Sequence, residues 1–181
     1  LQAHVDSTGL VNYEGLRDDP AALDDYVDSL AIVSPVSSAQ RFRRRNDQLA
    51  YWINAYNALV LHSVISAYPI ASVADLGGLD GFFEKRLHVV GGDSVSLNHI
   101  ENEIIRPQFR DPRIHFAVNC GAASCPVLDQ RAYDGGDIEE HLDQQTRRFA
   151  SDPGHLRWQD GSLYVSRLLE WYRQDFVETD S

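Results

Sequence analysis

Methionine is absent from this 181-residue chain, lysine occurs once (Lys85), and cysteine occurs only at positions 120 and 125. With no methionine and a first residue of Leu1, the chain reads as a processed or trimmed piece, from which any signal peptide would already be gone. Two cysteines are too few for a disulfide-rich secreted scaffold. Cys120 and Cys125 are near enough in sequence to pair, and spacing alone leaves their geometry open. No apolar run approaches the roughly 20 residues of a membrane-spanning helix. Positive charge is scarce: 16 Lys and Arg face 27 Asp and Glu, a net charge of -11, which argues against a nucleic-acid groove. P-loop glycines, the dinucleotide-binding glycine pattern and the helical His and Glu zinc signature are all missing. His99 and Glu103 lie one turn apart but read as solvent-facing and have no third ligand nearby. Neither a cofactor nor a metal is expected.

What remains is a 43% hydrophobic composition that suits one α+β domain over residues 1–181, with a small, mostly antiparallel sheet packed against several helices. Pro20 after two aspartates opens a helix over residues 21–33. Leu49, Trp52, Ile53, Tyr56, Val60 and Val64 recur at helical spacing and predict a long helix over residues 38–68, stopped by Pro69. Gly91-Gly92-Asp93 and Asp160-Gly161 each sit between short apolar runs and predict two hairpins. Further helices are expected over residues 98–106, 137–150 and 166–176. Residues 113–119 alternate as a strand, with Ile114, Phe116 and Val118 on one face and His115, Ala117 and Asn119 on the other.

The concentrated chemistry lies between His115 and Cys125. On the strand reading, a polar face runs into Cys120 and a loop of small residues whose N–H groups could meet a ligand. Cys125 precedes Pro126, a residue favoured at a helix start, and a thiol there would have a lowered pKa. A nucleophilic cysteine needs a base and a group to orient it. His115 is the nearest base, with Asn119 or a carboxylate as the orienting group. Glu101 falls inside an apolar arc, where a carboxylate needs a partner. It also stands three residues after Asn98, the spacing of a capping box. Asn57 lies at the centre of the long helix's apolar face and must find partners in core backbone or in a site. Asn54 sits at that face's edge.

Three stretches together resemble a known family: Tyr51-Trp52-Ile53-Asn54-Ala55-Tyr56-Asn57-Ala58-Leu59, Leu97-Asn98-His99-Ile100-Glu101, and residues 111–121 followed by Ser124-Cys125-Pro126. With the closing Leu163-Tyr164-Val165-Ser166, Trp171-Tyr172 and Asp175-Phe176, they are similar to the domain-of-unknown-function 547 family from about Val11 to Phe176. Bacterial members are often exported, so the resemblance implies an extracytoplasmic, periplasmic setting. It carries over Asn54, Asn57, Glu101, His115, Cys120, Ser124, Cys125 and Pro126 as motif positions. Some plant members look to have Ser in place of Cys125, which ranks Cys120 first as nucleophile. By analogy, a Cys, His and carboxylate set fits a permuted papain-like or transglutaminase-like topology.

Two expectations follow. In the first, a thiol-dependent hydrolase or acyl transferase uses Cys120 or Cys125 as nucleophile, His115 as base and Glu101 to orient it. Asn54, Asn57, Asn119, Gly121 and Ser124 would hold the substrate. In the second, the same region is a non-catalytic module that binds a small molecule or peptide.

Overall fold

A computed structural model describes residues 1–122 and 125–177. Asn12 starts the first helix by accepting the Gly15 N–H (2.9 Å), and α1 spans Tyr13–Asp18. Pro20 precedes α2 (Ala21–Ile32), where a missing N–H costs nothing. A single 3-10 turn (Ala39–Arg41) then leads into α3 (Arg45–Ile65).

The long helix is shorter than its predicted span at both ends: the stretch before Arg45 forms only a 3-10 turn, and the helix stops at Ile65. Its middle is apolar on every side. Ala50, Tyr51, Ala55, Ala58 and Leu59 are buried along with the predicted stripe, as expected of a helix that runs through a core rather than along a surface.

Next come α4 (Gly78–Asp80), widening into a turn over Gly81–Lys85, and the hairpin of β1 (Leu87–Val90) and β2 (Asp93–Ser96). That hairpin pairs Val90 with Asp93, so Asp93, read in the sequence as part of the turn, opens β2 and the turn is Gly91-Gly92 alone. It docks on α2 through Gly91 N–H to Leu30 C=O and Gly92 N–H to Ala31 C=O (2.8 Å each). The helical run that follows consists of α5 (Leu97–His99), wide turns over Ile100–Ile105, and α6 (Arg106–Phe109). It passes through Pro107 instead of stopping there. Wide turns shift the hydrogen-bond ladder just upstream, so the proline falls at the start of a new helical register.

The expected capping box is not formed. Ser96 caps the helix by accepting the His99 N–H (3.1 Å), which frees Glu101 to point into the core. After α7 (Ile138–Ser151), the second hairpin pairs β3 (Leu156–Gln159) with β4 (Ser162–Val165), and the described chain ends in α8 (Arg167–Trp171) and α9 (Arg173–Val177). Tyr172 breaks what reads in the sequence as one closing helix.

The architecture is α+β, but the sheet is two separate antiparallel hairpins rather than one. The segment read as a strand over residues 113–119 is instead a 3-10 helix, Pro112–Phe116. Asp111 caps it by accepting the Arg113 N–H (3.0 Å), a start signal that Pro112 completes. Ile114, His115, Phe116, Ala117 and Val118 are all buried. The alternation therefore marks a turn enclosed on all sides, and the supposed polar face does not exist.

Candidate functional site

Asn57 organises the region. Its Nδ2 donates to Ala117 C=O (2.9 Å) and its Oδ1 accepts the Asn119 N–H (2.8 Å), so one buried amide holds the chain leaving the 3-10 helix. Asn119 continues the scaffold: its Oδ1 accepts the Gly121 N–H and its Nδ2 donates to Pro126 C=O (2.8 Å each). Gly121 has a φ of 78°, and a Cβ there would meet Val73 at 3.0 Å, so both conformation and packing favour glycine. Within this frame Cys120 and Cys125 form a disulfide, with Cα atoms 6.2 Å apart. Ser124 lies outside the described residues. Cys125 is not at a helix N-terminus. The chain from Pro126 to Tyr133 is extended loop, and the next helix begins at Ile138, so Pro126 serves as an anchor whose carbonyl Asn119 holds.

His115 is 1% exposed and belongs to a second network. Its Nε2 is 2.7 Å from Asp175 Oδ2, and its ring stacks on Tyr172 with centroids 3.8 Å apart. Arg106 grips the same carboxylate with two bonds, Nε to Oδ2 (2.7 Å) and Nη2 to Oδ1 (2.8 Å). Its guanidinium holds Asp175 below the usual carboxylate range, so Nε2–H of a neutral His115 donates to an ionised acid. Nδ1 is buried and makes no hydrogen bond among the described residues.

Glu101, 7% exposed, does not orient His115 as the sequence suggests. Its Oε1 accepts the Tyr172 hydroxyl (2.6 Å), and the Tyr56 hydroxyl shares the carboxylate. Burial and that neighbouring charge push both phenols up. Sequence reasoning left Arg106, Tyr172 and Asp175 without a role. The signal available was a family signature around Trp171-Tyr172 and Asp175-Phe176, which placed them in the chain but not in space.

Burial lowers the pKa of His115 even against its Asp175 partner, and burial followed by the Arg86 charge pushes His88 down to about 4. Both rings are kept neutral in the folded chain, while an unfolded chain protonates them below about pH 6.5. Stability should therefore be level above about pH 7 and fall as acid is added, by on the order of 2 kcal/mol on reaching pH 4 after allowing for the partial exposure of His88. That corresponds to a Tm loss of about 4–8 °C. The Asp175 contribution is lost at still lower pH, below its ordinary value of 3.8. Thermal melts across this range test the sign, and His88→Gln should remove part of the slope. A Tm unchanged between about pH 7 and 4.5 would contradict it.

The side of α3 that carries Asn54 and Asn57 also lines a cavity of about 460 Å³. Asn54 and Asn57 reach it, together with Ala58 and Leu61 one turn further on. Asn54 shapes the wall by clamping Tyr133 on both sides, donating to its C=O (2.8 Å) and accepting its N–H (2.9 Å). Val5, Leu16, Leu61 and Leu128 form a satellite core here, between the N-terminal segment and α3. Gln130 ties that segment down by donating to Val5 C=O (2.6 Å). The structure thus brings Asn54 and Asn57 to a cavity and groups Asn119, Gly121 and the cysteines in a loop rooted on Asn57. His115 and Glu101 go to the network with the C-terminal helices. No group of three or more His, Cys, Asp or Glu among the described residues is arranged to hold a metal ion. No helix among them is long and apolar enough to cross a membrane.

A family model described as a protein of unknown function, DUF547, matches residues 40–150, and the chain belongs to that family. No curated protein and no solved structure matches it.

Proposed function

We propose that this DUF547 chain is a binding module whose ligand is a small molecule with an apolar body and a hydrogen-bonding head. The observation that carries this reading is the cavity beside α3, whose volume of about 460 Å³ falls in the range of small-molecule sites. Its walls are mainly aliphatic, and Asn54 and Asn57, both family-motif positions, line it with the charged side chains of Asp19, Asp129 and Arg131. Each amide already spends one donor and one acceptor on backbone, which fixes its orientation and leaves a second N–H and a second lone pair. The Cys120–Cys125 disulfide supports an oxidising, extracytoplasmic setting.

A thiol-dependent hydrolase or acyl transferase is the second reading, favoured by the His115–Asp175 pair with its open Nδ1. It ranks lower because the disulfide withdraws both thiols and because His115 is enclosed under Tyr172.

Octylamine, octanoic acid and octanamide are suitable probes, since they share a body and differ in the head. At least one should raise Tm by about 5–10 °C at a hundredfold excess over its Kd. Ala58→Phe, which fills the cavity from α3, should abolish the shift while leaving far-UV circular dichroism unchanged. Failure of all three probes, or a shift that survives Ala58→Phe, overturns the binding reading. Rapid iodoacetamide labelling of the reduced protein below about pH 7, lost in His115→Ala, would put the hydrolase in its place.

A further inference from the structure

The cavity beside α3 has one polar corner, and α7 backs it. His141 and Gln145 stand one helical turn apart on the buried face of α7, 1% and 3% exposed. Against them lie Asp129 and Tyr133, both of which line the cavity. Asp129 Oδ1 accepts the Arg131 N–H (2.7 Å), and its Oδ2 accepts from Gln145 Nε2 (3.0 Å), so the carboxylate is held in place. The Tyr133 ring stacks on His141 with centroids 4.1 Å apart, while Asn54 clamps the Tyr133 backbone on both sides. These contacts fix the corner without help from a ligand.

Not all of its polar atoms are satisfied. Tyr133 is 6% exposed, and its hydroxyl makes no hydrogen bond among the described residues. Neither ring nitrogen of His141 makes one, although Nε2 lies 3.3 Å from Asp129 Oδ2. Buried polar groups nearly always find partners, so three such atoms beside one carboxylate mark a place for a partner from outside the chain.

Charge selects the kind of partner. Asp129 takes its two hydrogen bonds from a backbone N–H and an amide, and neither neutralises it. Asp19, an exposed residue of the same lining, adds a second negative charge. Arg131 also lines the cavity, but its guanidinium is bonded to Asp137, which is not part of the lining. The net charge of -11 on the whole chain draws cations in from a distance.

We infer that this corner receives an ammonium group, so that the ligand of the cavity is an aliphatic primary amine. The inference rests on the cavity being a ligand site, and it names the head that such a ligand carries. An ammonium has three N–H donors and no acceptor, which suits a carboxylate and a phenol oxygen that both accept. A carboxylate head would meet Asp129 with like charge. A neutral amide head would cover Asp129 without supplying a counter-charge. The aliphatic walls then take the alkyl chain.

Isothermal titration of the full chain at about pH 7, where an alkylamine is cationic, tests the head against matched bodies. Octylamine should bind at least about tenfold more tightly than octanamide or octanoic acid. Asp129→Asn should bring the octylamine and octanamide affinities to within about twofold of each other. Tyr133→Phe removes only the unpartnered oxygen. It should leave the Tm of the free chain level or raised and weaken octylamine at least about threefold. Glu170→Gln makes the same change of charge on α8, outside the cavity, and should leave the octylamine affinity as it is.

If octanamide or octanoic acid binds as tightly as octylamine, the ammonium inference is overturned and the binding reading stands. Failure of all three probes overturns both. A preference for octylamine that survives Asp129→Asn also overturns the inference. Should Asp129→Asn not fold, Tyr133→Phe decides, and an undiminished octylamine affinity there is the contrary result.

Discussion

Asn57→Ala should cost about 2–4 kcal/mol and lower Tm by roughly 8–12 °C, the largest effect expected of a single polar substitution in this protein. Two hydrogen bonds are lost, but most of the cost arises from what they leave behind. Ala117 C=O and the Asn119 N–H would lose the side-chain partner that holds them where the chain exits a buried turn. Asn119 in turn positions Gly121 and Pro126, so the disulfide loop should loosen with them. Asn57→Asp separates the two roles: it keeps an acceptor for the Asn119 N–H and loses the donor to Ala117 C=O. It should rescue little, because it sets a carboxylate against a carbonyl oxygen. Urea melts give the free energy, and a change under about 0.5 kcal/mol would show that the amide is dispensable.

Asp175→Ala should destabilise the chain by about 2–3 kcal/mol, discounted from a fully buried pair because the Asp175 and Arg106 side chains remain 22% and 28% exposed. It strips two bonds from the Arg106 guanidinium and, among the described residues, the only hydrogen bond of the buried His115 ring. The effect should be uneven along the chain. The C-terminal elements are held to the body by Asp175, by the Tyr172 hydroxyl on Glu101, and by the small cluster around Phe116. Amide exchange should therefore accelerate over residues 156–177 while α3 stays protected. Equal protection in both regions, compared with the parent chain, would show that Asp175 does not latch the C-terminus. A double-mutant cycle with Arg106→Ala should return a coupling of about 1–2 kcal/mol.

Much of the local structure is legible from residue order because it rests on short-range chemistry. Gly91-Gly92 and Asp160-Gly161 supply the positive φ angles that tight hairpin turns require, and both hairpins form at the places they mark. The apolar spacing of α3 likewise predicts a buried helix, and Asn57 stands out there as a polar group in need of partners. The burial of Glu101 follows from its place in an apolar arc, but its partner does not. Tyr172 lies 71 residues away, and no local pattern links the two.

Residues 113–119 misled for a related reason. An alternating apolar pattern describes a half-buried strand, and it describes equally a 3-10 turn enclosed on all sides. Only the surrounding helices decide between them.

The sequence by itself determined the helices, the hairpins, the family and the residues on which chemistry would be sought, because propensity, periodicity and turn stereochemistry act over a few residues. Only the tertiary structure decided how those residues are grouped. It set Asp175 rather than Glu101 on His115, closed the two cysteines into a disulfide, and opened a cavity on the side of α3 that carries Asn54 and Asn57. Each of these outcomes depends on which distant segments meet across α3. That is settled by the packing of the whole core, not by any stretch of chain read alone.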